Sequence, residues 1–170
     1  MTFVAAPALA QSPTGGSNQA TFAAGLSFLH INEVTGTGFD VNVAKPFMSS
    51  GKLSTGIFGD FAWHTKDGEH ALGFLVGPRF AHTGSSQFTP FFQAGIGVTH
   101  FSANSDICDE AVEDCSESGF TFAPGGGVDV KLNDKINFRF QLEIPIIHFE
   151  GDTETGVKFM FGVSFPIGSK

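Results

Sequence analysis

The feature that most constrains this chain is a two-residue alternation that puts phenylalanine on one side and glycine, amide and charge on the other. In 155–167, Val157, Phe159, Phe161, Val163, Phe165 and Ile167 share one parity, against Lys158, Met160, Gly162, Ser164 and Pro166. In 136–149, Phe138, Phe140, Leu142, Ile144 and Ile146 oppose Arg139, Gln141, Glu143, Pro145 and Ile147. In 53–65, Ile57, Gly59, Phe61 and Trp63 oppose Phe58, Asp60, Ala62 and His64. Successive side chains of a strand point to opposite faces, so this period demands strands with two unlike faces. No long window carries the 3.6-residue stripe of an amphipathic helix.

Turn chemistry divides the chain into eight expected strands: 21–31, 36–47, 53–65, 69–82, 88–102, 119–132, 136–149 and 155–167. Most exceed the five or six residues usual in a soluble sheet. Long strands joined by short hairpins predict an all-β fold, a single eight-stranded antiparallel up-and-down β-barrel. The domain spans 20–170, after a residual signal-peptide segment at 1–10 and a flexible lead-in at 11–19. Ala8-Leu9-Ala10 ahead of Gln11 has the small-x-small form of a signal-peptidase site, which points to export.

The polar face decides which way the barrel is turned. It carries Gly73, Gly77, Gly95, Gly97, Gly125, Gly127 and Gly162. Glycine is a poor choice for a solvated strand surface, but it relieves crowding inside a narrow barrel. The Phe-rich face is therefore expected outside, against lipid, in the apolar-out, polar-in arrangement of the transmembrane type. A second reading is a soluble or periplasmic lipocalin-like barrel holding a small hydrophobic ligand, with the apolar face turned in.

The connections support the membrane arrangement. "SSGK", "TGSSQ" and "NDK" are short and nearly uncharged, whereas "NEVTG", "TKDGEH", "NSDICDEAVEDCSES" and "EGDTET" are acidic and share the other end. Outer-membrane barrels pair short periplasmic turns with longer external loops, so the acidic end is expected to face out. The formal net charge of -8 argues against nucleic acid, which requires a basic patch. Expected partners are outer-membrane lipid and an extracellular ligand or surface partner reached through the acidic loops. The expected state is a monomer.

The stretches "FLVGPRF" and "TPFFQAGIGVTHF", the hairpin "GGGVDVKLNDKINFR" and the terminal "VKFMFGVSFPIG" resemble the small eight-stranded bacterial outer-membrane β-barrels, the outer-membrane-protein-A-like group. The resemblance covers about residues 20 to 170 and is one of strand texture. It implies fold and an outer-membrane location rather than an activity. Members usually carry Trp- and Tyr-rich girdles. Here Tyr is absent and Trp63 is the single Trp, so Phe stands in.

Candidate sites follow from parity. The inward charges are Asp40, Asp60, Asp129 and Glu143 against Arg79, Lys131, Arg139 and Lys158, four acids and four bases, with Gln93 beside them. Buried charges are costly unless paired, so these nine residues predict a network that fills the lumen, with Arg79 bound to at least one of Asp60, Asp129 or Glu143. Cys108 and Cys115, the two cysteines of an exported chain, predict a local disulfide in the longest loop. The acids around them lack calcium-loop spacing.

His30, His64, His70, His82, His100 and His148 fall mostly near the acidic ends of strands, as ordinary rim residues. His100 and Ser102 share a strand face and resemble the His-x-Ser arrangement of lipid A deacylases, with an acid available only in the long loop, for instance Glu113. No phosphate loop, haem motif or closed zinc set occurs. The expectation is therefore no catalytic residue, no metal and no cofactor, in a non-enzymatic barrel with a structural, adhesion or surface-interaction role.

Overall fold

The computed structural model describes residues 19–84, 87–103 and 116–167. The signal segment, most of the lead-in, the Cys108–Cys115 pair and Glu113 lie outside the described residues.

The strands are β1 (Ala20–Ile31), β2 (Val34–Ser50), β3 (Leu53–Lys66), β4 (Glu69–His82), β5 (Phe88–Ala103), β6 (Ser116–Lys131), β7 (Asn137–Glu143), β8 (Ile146–His148) and β9 (Thr153–Ile167). From β1 to β7 consecutive strands pair antiparallel, and β9 returns to β1, so the sheet closes into a ring. β7 and β8 occupy one position in that ring, between β6 and β9. The barrel therefore has eight strands in nine segments. The break falls at Ile144–Pro145 because proline has no N–H for the ladder. Register is kept across it: Ile144 N donates to Pro124 O at 2.9 Å and Gly156 N to Pro145 O at 2.8 Å.

At one end, here called the loop end, two hairpins close in two residues. Asn32 and Glu33 have φ of 45° and 69°, and Asp67 and Gly68 have 49° and 90°. Positive φ at both central residues is the signature of the hairpin turn whose twist matches a right-twisted strand pair. The turn at Asn32 needs no more than two residues, so β2 starts at Val34 rather than at Gly36. β9 likewise starts at Thr153. The opposite, turn end holds the connections after β2, β4 and β6.

Faces alternate as the sequence does. Phe74, Phe92, Ile96, Val98 and Phe120 are 52–56% exposed, while Leu75, Gln93 and Thr121 beside them are 0–5% exposed. At about 3.3 Å per residue, the 14 residues of β3 span about 46 Å. Tilted by about 40°, they rise about 35 Å, more than the apolar band of about 25 Å that such barrels present to lipid.

Inside, bulk is fitted to space. A Cβ on Gly95 would stand 3.0 Å from Leu75 Cβ and 3.1 Å from Phe58 Cζ. Phe58 is 1% exposed and packs with Ala44, Leu75 and Ala123 into an apolar patch of the interior.

Candidate functional site

Around that patch the lumen is filled by charge. Asp40, Asp60, Arg79, Gln93, Asp129, Arg139, Glu143 and Lys158 are all no more than 7% exposed. They come from seven strand positions, each set inward by the same parity that sends Phe outward.

Two centres organise them. In the first, Arg139 clamps Asp129 with Nε and Nη2, each at 2.7 Å, and donates through Nη1 to Asn42 Oδ1 at 3.0 Å. This forked geometry matches a planar guanidinium to a carboxylate. Arg79 reaches the same Asp129 at 3.4 Å and donates to Gln93 Oε1 at 3.4 Å and Asn42 Oδ1 at 3.3 Å. Its guanidinium lies 3.7 Å from the centre of the Phe91 ring, a cation–π contact in a site screened from water. Ser164 donates to Asp129 Oδ1 at 3.0 Å.

The second centre is Lys158. Its ammonium lies 2.7 Å from Asp40, 2.6 Å from Asp60 and 2.6 Å from Glu143. Gln93 Nε2 donates to Glu143 Oε1 at 2.8 Å, which joins this centre to Arg79. Asn42 donates to Asp60 at 3.2 Å and accepts from both arginines, a second link. Asp40, Asp60 and Glu143 are also the one carboxylate trio among the described residues close enough to share a metal ion. The ammonium of Lys158 already occupies the place between them.

Lys131 differs from expectation. It faces inward by parity, but it is the last residue of β6, where a four-carbon stem carries its charge out of the lumen. There it pairs with Asp134 of the turn at 2.7 Å, with its side chain 35% exposed. The buried set is thus four acids against three bases, not four against four. Residues missed by a reading of charges alone are Asn42, Gln141, Ser164 and Phe91, which share the inward parity. That parity, with an amide two residues from Asp40, was the signal available for Asn42.

Towards the loop end the lumen holds neutral pairs. Ser27 and His64 meet at 2.8 Å, and so do Thr99 and Thr121. A space of about 30 Å³ lined by Asp60, His64, Thr99, Thr121, Glu143 and Lys158 has room for about one water. Above it the mouth opens into a vestibule of about 470 Å³, rimmed by Lys66, Glu69, Glu117 and Glu154 over a floor of His64 and Ala71. His100 points outward instead, and its Nδ1 meets Ser118 Oγ at 2.8 Å. Its cross-strand neighbours are Leu72 and Ser118, so no acid faces it among the described residues.

No protein-family model matches this sequence, and no curated protein matches it. Solved structures do match its shape. Neisserial surface protein A is similar at a TM-score of 0.59 and 10% identity, over 89% of this chain and 98% of that one. Ail, the attachment invasion locus protein of Yersinia pestis, is similar at 0.56 and 14% identity, over 88% and 99%. The outer membrane enzyme PagL is similar at 0.53 and 16% identity, over 86% and 99%. The fold is that of the small eight-stranded bacterial outer-membrane β-barrels, with an apolar outer band suited to lipid and a charged, filled lumen.

Proposed function

We propose that this barrel is a non-enzymatic outer-membrane protein that presents its loop end to the surroundings as a structural, adhesion or surface-interaction element. The observation that carries the reading is the lumen. Eight interlocked polar side chains sit where a pore would need water, and an eight-stranded barrel is only wide enough to be filled. A lipocalin-like binder would need an apolar interior, and here the apolar side chains face out. With the lumen occupied, the acidic vestibule and its turns are the surface left for recognition. Electrostatic complementarity favours partners with basic patches. The neighbours named for the cell surface and for attachment accord with this reading. The outer membrane enzyme PagL shares the fold, so the competing reading is enzymatic: a lipid A deacylase, drawn from the His-x-Ser resemblance at His100 and Ser102.

The test is reconstitution of the folded protein in planar bilayers and in vesicles containing lipid A. The expected results are no stepwise conductance and no released acyl chain. Conductance steps would refute the plugged lumen, and deacylation lost in His100→Ala would refute the non-enzymatic role.

A further inference from the structure

A barrel in a membrane needs side chains at the interface with an apolar body and a polar tip, the part usually taken by Tyr and Trp. This chain has no Tyr and one Trp. Four of its six histidines, His30, His70, His100 and His148, lie on outward parity within the last few ladder pairs of the loop end. Three share one construction. His30 Nδ1 meets Thr35 Oγ1 at 2.9 Å, His100 Nδ1 meets Ser118 Oγ at 2.8 Å, and His148 Nδ1 meets Thr153 Oγ1 at 2.7 Å. In each case the hydroxyl belongs to the residue directly opposite on the neighbouring strand. The fourth, His70, stacks on Trp63 at 5.8 Å and 19°.

The repeated use of Nδ1 has a chemical consequence. Where the Ser or Thr hydroxyl donates to Nδ1, one of the two directions the pairing allows, the ring proton stands on Nε2, as a donor held in a fixed direction. The three rings sit on the β1–β2, β5–β6 and β8–β9 hairpins, spread around the ring rather than gathered at one spot. Their other neighbours are uncharged: Val157 beside His30, Leu72 beside His100 and Phe120 beside His148. Glu69, Glu117 and Glu154 belong to the same end, but they line the vestibule. His30, His100 and His148 do not line it, so these three rings and those three acids lie on opposite faces of the sheet. The outward face continues directly from the apolar band, so what it meets is the lipid interface.

We propose that His30, His100 and His148 form a headgroup girdle that binds the phosphates of membrane lipids through Nε2. Each ring lies with its apolar edge on the band and donates to a phosphate oxygen, which supplies the polar anchor that Tyr and Trp would otherwise provide. The proposal rests on the membrane fold and not on the surface-interaction role, so it stands or falls separately from the latter.

The experiment is a nitrogen–phosphorus distance measurement by solid-state NMR. The full chain, labelled with 15N-histidine, is folded into phosphatidylglycerol vesicles, and its folding is verified by the gel shift between unboiled and boiled protein. Dephasing of Nε2 by lipid phosphorus, with Nδ1 much less affected, is the expected result. It should fall to the contribution of the remaining histidines in His30→Phe/His100→Phe/His148→Phe, which keeps the ring area and removes the donors. Absence of dephasing in the folded wild-type barrel would overturn the proposal, whether or not the variant folds. Equal dephasing by inorganic phosphate in phosphate-free galactolipid vesicles would overturn the assignment to lipid, because the site would then be one for a free anion.

Discussion

Removing the charge of Lys158 tests the lumen where it is least redundant. Asp129 has two guanidinium partners, whereas Asp40, Asp60 and Glu143 all depend on one ammonium at 2.6–2.7 Å. All three carboxylates are no more than 2% exposed, and the space beside them has room for about one water, too little to solvate three acids in place of the lost cation. Breaking one buried pair costs about 3–5 kcal/mol, mostly because the partner is left uncompensated. Lys158→Met keeps the length of the stem and strands three acids instead of one, so the loss should reach at least the upper end, about 5 kcal/mol. Lys158→Met/Glu143→Gln/Asp60→Asn removes two of the stranded charges and should recover more than half of it. The assay is urea unfolding in phosphatidylcholine vesicles, followed by Trp63 emission and by the fraction of protein migrating in the folded position. A Lys158→Met barrel within about 1 kcal/mol of wild type would refute the reasoning, since the charges would then have to be solvated. So would a triple variant no better than the single one.

Two further outcomes follow from the same structure. Lys131→Met should change stability by less than about 1 kcal/mol in that assay, because its partner Asp134 is 94% exposed and surface pairs contribute little. A loss comparable to that of Lys158→Met would place Lys131 back in the lumen. Unboiled protein in mild detergent should run ahead of boiled protein on a gel, because a closed ring leaves no free strand edge from which to unravel. Identical migration would count against closure.

What the sequence made legible was what depends on parity. Side-chain alternation has a period of two, so one correct strand assignment sorts every residue on it, and Asp60, Arg79 and Glu143 could be set inward without a structure. Two things were not legible. Pair identity across the lumen joins residues as distant as Asp60 and Lys158, and it depends on the stagger of the closed ring, which no local pattern encodes. Depth along the strand is equally hidden. Lys131 and Lys158 have the same parity and the same side chain, yet one reaches the rim and the other is locked at the centre. The split of the seventh strand could have been expected at Pro145, since the lack of an N–H is a local property. The histidine pairs stayed hidden for another reason: His30 and Thr35 become partners only once the turn between them is fixed at two residues.

The central claim, that the phenylalanine face meets lipid while the charged face fills the lumen, is tested most directly by a reporter in mid-strand. Phe74 is 53% exposed and pairs with Phe61 and Val98 on the outer face. Phe74→Trp in a Trp63→Phe background, folded into vesicles of chain-brominated phosphatidylcholine, should lose most of its emission to the bromines and resist quenching by aqueous iodide. Strong iodide quenching with no effect of bromine would show that this face meets water and that the barrel is turned the other way.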